Sequence, residues 1–316
     1  MRTLFLGATG GDLASEAAVA EALSAFPSSP PVLQGIRPSR LARAFPGLRA
    51  VLGLEELGRQ DFARAVLVGP QRDEASWLSS LSLLGRLAAA GAEVHVHNLG
   101  LSEFPAMLDP PAEARAVLAA AGRFSVRDHA TQDFVLSWQI GRIPLLAAYP
   151  EAWLSPDPAL STELRGRPLF GLSLGAWRDP RGLRRGAIGR VPGLAARLAG
   201  HALLPLPAEP EAVREAGALA GLLETLGAPP MPLALPLAAD RAGWMERITP
   251  ARLSALVAAC DTVLTETDLV AAFAARARVP CIGLSGVQGN TVHRCFATLS
   301  GRFAAGSVCL MPPWPC

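Results

Sequence analysis

Lysine is absent from this chain, so all 29 of its basic residues other than histidine are arginines. A lysine Schiff base and a phosphate-loop lysine are thereby excluded, and planar two-pronged arginine contacts remain the means of holding a carboxylate or phosphate. A bias toward arginine codons accounts for the absence itself. Charge is sparse as well: 18% of residues carry one and the formal net charge is +2. Arginines such as Arg178, Arg181, Arg184 and Arg185 are dispersed with few aromatics between them, which is not the pattern of a nucleic-acid groove. Cysteine is scarce and late, at positions 260, 281, 295, 309 and 316, and no two form a C-x-x-C pair. An odd count without a framework argues against a zinc site or a disulfide scaffold and fits a reducing compartment. No stretch of ~20 uninterrupted apolar residues exists to span a bilayer. The opening "MRTLFLGATGGD" breaks at Gly7, too early for a secretory leader. The expected location is the cytoplasm, with at most peripheral membrane contact.

What is present is apolar and alternating. Half of the 316 residues are hydrophobic, enough for two cores of ordinary domain size. "RTLFLG" reads as a short buried strand, "ATGGD" as a glycine-rich turn and "LASEAAVAEALSAF" as a helix, the start of a parallel α/β unit. Strands follow at "ARAVLVG", "EVHVHNLG", "FSV" and "AWLS", with helices at "SWLSSLSLLGRLAAAG", "PAEARAVLAAAG" and from His129 onward. After the proline-rich "SPDPALSTELRGRP" a second series begins with "LFGLSLG" and continues through helices at 191–200 and 211–227 and strands at "HALLPLP" and "MPLALPL". It ends in "TPARLSALVAAC", "DTVLT", "DLVAAFAARARV" and "PCIGLSG". The expectation is therefore an α/β protein of two Rossmann-like, doubly wound domains, 1–161 and 162–316, facing a cleft. The tail "MPPWPC" is too rich in proline for a helix or a central strand.

In order along the chain, "LFLGATGGDLASEAAVAEAL", "FSVRD", "LSPDPAL" and "CDTVLTETDLVAAFAARARVPCIGLSG" resemble the polysaccharide pyruvyl transferase family. The resemblance implies the two-domain arrangement called GT-B and transfer of an enolpyruvyl group from phosphoenolpyruvate to a sugar hydroxyl during cell-surface glycan synthesis, with no other cofactor. The chain departs from that family where it carries Arg-Leu-His for the donor, since Thr267, Asp268 and Leu269 stand there, and where Pro70, Gln71 and Arg72 replace a glycine triplet. "LTETDLVAAFAARARVPCIGLSG" also looks like the donor segment of heptosyltransferase-type enzymes, so the alternatives are a nucleotide-sugar glycosyltransferase and a non-catalytic glycan-binding relative.

The candidate residues each carry two readings. Gly10, Gly11 and Asp12 sit where the first strand meets its helix, suited to an acceptor hydroxyl or to capping by Asp12. Arg127, after "FSV", can hold an anion or fix the strand-helix junction, and Asp128 can take a hydroxyl proton or cap the helix. Under the resemblance Asp128 or Asp12 is the base. Asp157, between two prolines, faces the cleft or caps a helix. Glu266, Thr267 and Asp268 open a helix whose acidic start suits hydroxyls over phosphate, with capping by Thr267 or Asp268 as the plain reading. His293 and Arg294 either restore positive charge or lie in a solvated loop. His95 and His97 share a strand face without a third ligand, more like buried histidines than a metal site. Trp77, Trp138, Trp177 and Trp244 are core or sugar-stacking residues.

Overall fold

A computed structural model describes residues 2–7, 13–27, 31–34, 38–51, 62–71, 74–101, 110–164, 166, 168–173, 194, 198–206, 248–283, 295 and 308–310. The chain divides into two compact units, Met1–Glu151 and Ala152–Cys316. Helices expected within 191–200 and at 211–227, the strand at 231–237, the tail 311–316, Trp177 and Trp244 lie largely or wholly outside the described residues.

The first unit runs β1 (Thr3–Leu6), α1 (Leu13–Ala25), β2 (Pro31–Gln34), α2 (Pro38–Ala44), β3 (Arg49–Val51), β4 (Arg64–Pro70), α3 (Glu74–Ala89), β5 (Glu93–Gly100), α4 (Ala112–Ala120), β6 (Phe124–Val126), α5 (His129–Ser137) and β7 (Leu145–Leu146). Its seven strands are ordered β3-β2-β1-β4-β5-β6-β7, and every pairing is parallel. Because side chains alternate across a strand, "TLFL" feeds two cores at once. Phe5 joins Val66, Val68, Leu33 and the α1 residues Ala18, Val19 and Ala22 on one face. Leu4 and Leu6 join Leu67, Val94 and Val96 with Trp77, Leu84, Leu118 and Val135 of α3, α4 and α5 on the other. Trp77 and Trp138 pack there with ring centroids 6.1 Å apart, which makes both core residues.

One expected strand is corrected. "AWLS" is not extended: Pro150–Trp153 forms a 3-10 turn, and the edge strand is Leu145–Leu146 instead. Ala148 and Tyr149 both adopt left-handed backbone (φ 47° and 54°), which breaks an extended chain just before Pro150 fixes the next φ.

The second unit contains α6 (Pro158–Glu163), β8 (Leu169–Ser173), β9 (Ala202–Pro205), α7 (Pro250–Ala258), β10 (Thr262–Thr265), α8 (Asp268–Ala277), β11 (Cys281–Gly283) and β12 (Val308–Leu310). Its described strands form a parallel sheet ordered β12-β11-β10-β8-β9. The chain winds outward from β8 in both directions, as it does from β1 in the first unit. A doubly wound sheet splays its loops at that reversal, between β1 and β4 in one unit and between β8 and β10 in the other, and ligands bind there at the carboxyl ends of the strands.

Candidate functional site

At the reversal of the first unit the loop after β1 begins with Gly7, whose φ is +83° and whose α-carbon lies so close to Gln71 that an added Cβ would stand 2.5 Å from Nε2. Gln71 follows β4, is buried, and donates from Nε2 toward the carbonyls of Val68 and Gly69 at 3.4 Å each. Gly10, Gly11 and Asp12 lie outside the described residues.

Further along the same rim, β5 carries a bulge at Asn98, itself left-handed at φ 56°. Its amide N–H donates to Ser125 Oγ at 3.0 Å, and its side-chain Nδ2 donates to Glu151 Oε2 at 2.7 Å. Arg127 comes off the end of β6 with its stem across Gly100, where a Cβ would meet its Cδ at 2.4 Å. Its Nη2 donates to Glu151 Oε1 at 2.9 Å and its guanidinium lies 4.5 Å from the centre of the Tyr149 ring. The side chain points inward, so its charge partner is Glu151 rather than Asp128. Asp128 is the N-cap of α5, with Oδ1 accepting from the Thr131 amide at 2.7 Å, while Thr131 Oγ1 accepts from the Leu101 amide at 3.0 Å. The second oxygen, Oδ2, is buried and has no hydrogen-bond partner among the described residues.

In the second unit the reversal is lined by hydroxyls. Ser173, the last residue of β8, places Oγ 3.1 Å from Thr267 Oγ1, which also stands 3.1 Å from Thr265 Oγ1. The Thr267 amide donates to Thr265 Oγ1 at 2.9 Å, and the Glu266 amide donates to the Ser173 carbonyl at 2.8 Å. Thr267 is the N-cap residue of α8 without a side-chain capping bond, and Asp268 Oδ1 accepts from the Leu269 amide at 2.8 Å. Glu266, Thr267 and Asp268 are all partly exposed. The structure thus brings together three of the candidates with Ser173 and Thr265, whereas His293 and Arg294 lie outside the described residues.

Asp157 caps α6, accepting from the Ala159 and Leu160 amides, and pairs with Arg252 Nε of α7 at 3.2 Å. Burial pushes its carboxyl up, but the Arg252 hydrogen bond and the two amides outweigh that and hold it below the usual aspartate range. His97 is fully buried with Nε2 bonded to Glu21, and His95 pairs with Glu93 at 3.1 Å. Burial lowers the His95 pKa against the pull of Glu93. Among the described residues no group of three or more histidine, cysteine or acidic side chains is placed to hold a metal ion.

No protein-family profile and no curated protein matches the chain. Solved structures do. UDP-GlcNAc 2-epimerase of Methanocaldococcus jannaschii, in complex with UDP-GlcNAc and UDP, is similar with a TM-score of 0.57 over 98% of this chain and 89% of that one, at 12% identity. MnaA of S. aureus, solved with UDP, is similar with a TM-score of 0.54 over 94% and 86%, at 10% identity. The fold is GT-B-like. At such identities the likeness extends to the fold alone.

Asn98, Glu151, Ser173 and Thr265 belong to these rims without having been singled out in the sequence, whereas Gln71 stands there as one of the three residues in place of a glycine triplet. Thr265 and Ser173 do carry a signal, since each is the polar end of an apolar run and so marks a strand's carboxyl end. Glu151 carries none, because "PEAW" gives no hint of its partners.

Proposed function

We propose that this GT-B-like chain is a nucleotide-sugar-dependent transferase that holds a nucleoside diphosphate sugar at the carboxyl rim of its second unit. The observation that carries the reading is the hydroxyl cluster of Ser173, Thr265 and Thr267 beside the carboxylates of Glu266 and Asp268. Hydroxyls and carboxylates at a sheet reversal are acceptors and donors for a ribose or hexose, and the two carboxylates at the start of α8 suit sugar hydroxyls over phosphate. The two similar structures support the class of ligand, one solved with UDP-GlcNAc and UDP and the other with UDP. An acceptor sugar or glycan completes the reaction; Asp128, fully buried as the cap of α5, is a structural group and not exposed to take its proton.

Enolpyruvyl transfer from phosphoenolpyruvate is the weaker reading. The described rim residues from Thr265 to Asp268 supply no cation, so recognition there rests on hydroxyls, which a nucleotide sugar offers and phosphoenolpyruvate lacks. Arg127 offers its guanidinium to Glu151. Calorimetric titration with UDP, UDP-GlcNAc, ADP and phosphoenolpyruvate separates the two, using wild type and Thr267→Val. A nucleotide response that the variant loses supports the proposal. A response to phosphoenolpyruvate alone would return the chain to pyruvyl transfer, and silence toward all four would make it a glycan-binding relative.

A further inference from the structure

We propose that the N-terminal edge of the first unit's sheet is a docking surface for an anionic lipid bilayer, with arginines meeting the headgroups and the turn 141–145 entering the apolar boundary. Because the strands are parallel, their first residues line one edge. Arg2 precedes β1, Arg49 opens β3, Arg64 opens β4, Arg123 precedes β6 and Arg142 lies shortly before β7. Among the described acidic residues, Glu93 opens β5 and sits 3.5 Å from Arg64, Glu21 lies near the end of α1, and Asp133 is exposed on α5. Toward the opposite edge Glu74 and Glu113 stand in the first turns of α3 and α4, and the buried Glu151 carboxylate there is neutralised by Arg127.

Complementing helix dipoles explains part of this row, since helices end where parallel strands begin. Arg142 does so directly, donating to the carbonyls of Ala119 and Ala121 at the end of α4. It leaves the neighbouring apolar groups unexplained. Ile143 is 77% exposed and Leu145 61%. The turn that carries them is fixed: Gln132 Nε2 of α5 donates to the Pro144 carbonyl at 3.1 Å, Pro144 is buried, and the Arg142 guanidinium lies 5.6 Å from the centre of the Phe124 ring. Such a turn presents its aliphatic side chains to water, at a cost that an apolar partner returns. Leu136, in the last turn of α5, is exposed beside it in sequence order.

Basic groups along one edge of the sheet and aliphatic groups at its β7 end are what interfacial membrane binding requires, because charge draws the protein in within a Debye length and insertion holds it. The exposed groups of the turn offer no aromatic face for a base to stack on, which disfavours single-stranded nucleic acid. No described helix is long and apolar enough to cross a membrane.

The test is sedimentation of the full chain with vesicles of phosphatidylcholine alone or mixed with phosphatidylglycerol. The expected result is binding to the anionic vesicles only, lost between roughly 0.05 and 0.5 M salt. Ile143→Ser with Leu145→Ser should weaken it by about tenfold or more, and Arg123→Gln by about fivefold, with thermal unfolding unchanged. Equal binding to neutral vesicles, no binding at low salt, or indifference to both sets of substitutions overturns the proposal. So does a dimer in light scattering that Ile143→Ser dissolves, which would make a second copy the occupant.

Discussion

Arg127 and Glu151 meet at 2.9 Å with side chains that leave 3% and none of their surface to water. The pair sits where backbone strain collects, between left-handed Asn98 on one side and left-handed Ala148 and Tyr149 on the other. Each such residue costs about 1–3 kcal/mol; Asn98 is held by Glu151 and Ser125, and the Tyr149 ring lies against the Arg127 guanidinium. The ion pair therefore fixes how the chain leaves the first sheet.

Breaking that pair from one side should be severe. Glu151→Ala leaves a buried guanidinium without its carboxylate, and a loss of about 3–5 kcal/mol is expected. Arg127→Met with Glu151→Leu removes both charges and should restore much of it. Scanning calorimetry of the two variants checks the order. A double variant no more stable than Glu151→Ala would show that the carboxylate acts through Asn98 instead.

Gly7 is constrained twice. Its φ of +83° disfavours any side chain, and a Cβ would run into the Gln71 amide. Gly7→Ala should cost more than the ~1 kcal/mol of a left-handed alanine alone. Adding Gln71→Ala should recover the steric part and leave the backbone part, read as two steps in urea midpoint.

The strands that were legible in the sequence are apolar runs with a sharp end. Phe124–Val126 is bounded by Arg123 and Arg127, and Glu93–Gly100 by charge and glycine. By contrast β2, α2 and β3 are short and punctuated by Pro31 and Pro38, so no period develops within them. "AWLS" shows the converse, four residues whose apolarity fits a strand but whose backbone is set by the strained pair before it. Site residues follow the same logic. Asp128, Asp157 and Thr267 are visible because they stand at element boundaries, where chemistry and capping coincide. Their partners are not, because Glu151 is 24 residues from Arg127 and Arg252 is 95 from Asp157. Topology alone brings them together.

Asp157 should report on acid stability. Its folded pKa lies below the ordinary value, so the unfolded chain binds the proton more readily. The stabilisation is then complete above the unfolded pKa of about 3.9 and is lost as pH falls through the depressed folded value. Asp157→Asn should flatten that part of the stability curve by lowering the neutral plateau toward the acid value, and only slightly, since the pair with Arg252 is partly exposed and screened. Urea midpoints between about pH 2 and 6 measure it. An unchanged acid limb would assign the loss to other carboxylates.

The hydroxyls of the second rim separate folding from binding. Thr265 is fully buried, and its Oγ1 accepts from the Thr267 amide. Thr265→Val strands that N–H and should cost roughly 1–3 kcal/mol. Thr267 is partly exposed and its Oγ1 contacts the Ser173 and Thr265 hydroxyls among the described residues, so Thr267→Val should cost less than about 1 kcal/mol. If the rim holds a nucleotide sugar, the milder substitution is the one that abolishes the calorimetric response to UDP at an unchanged melting temperature. Retained UDP binding in Thr267→Val would make the cluster a support for the start of α8 and move the ligand elsewhere on the rim.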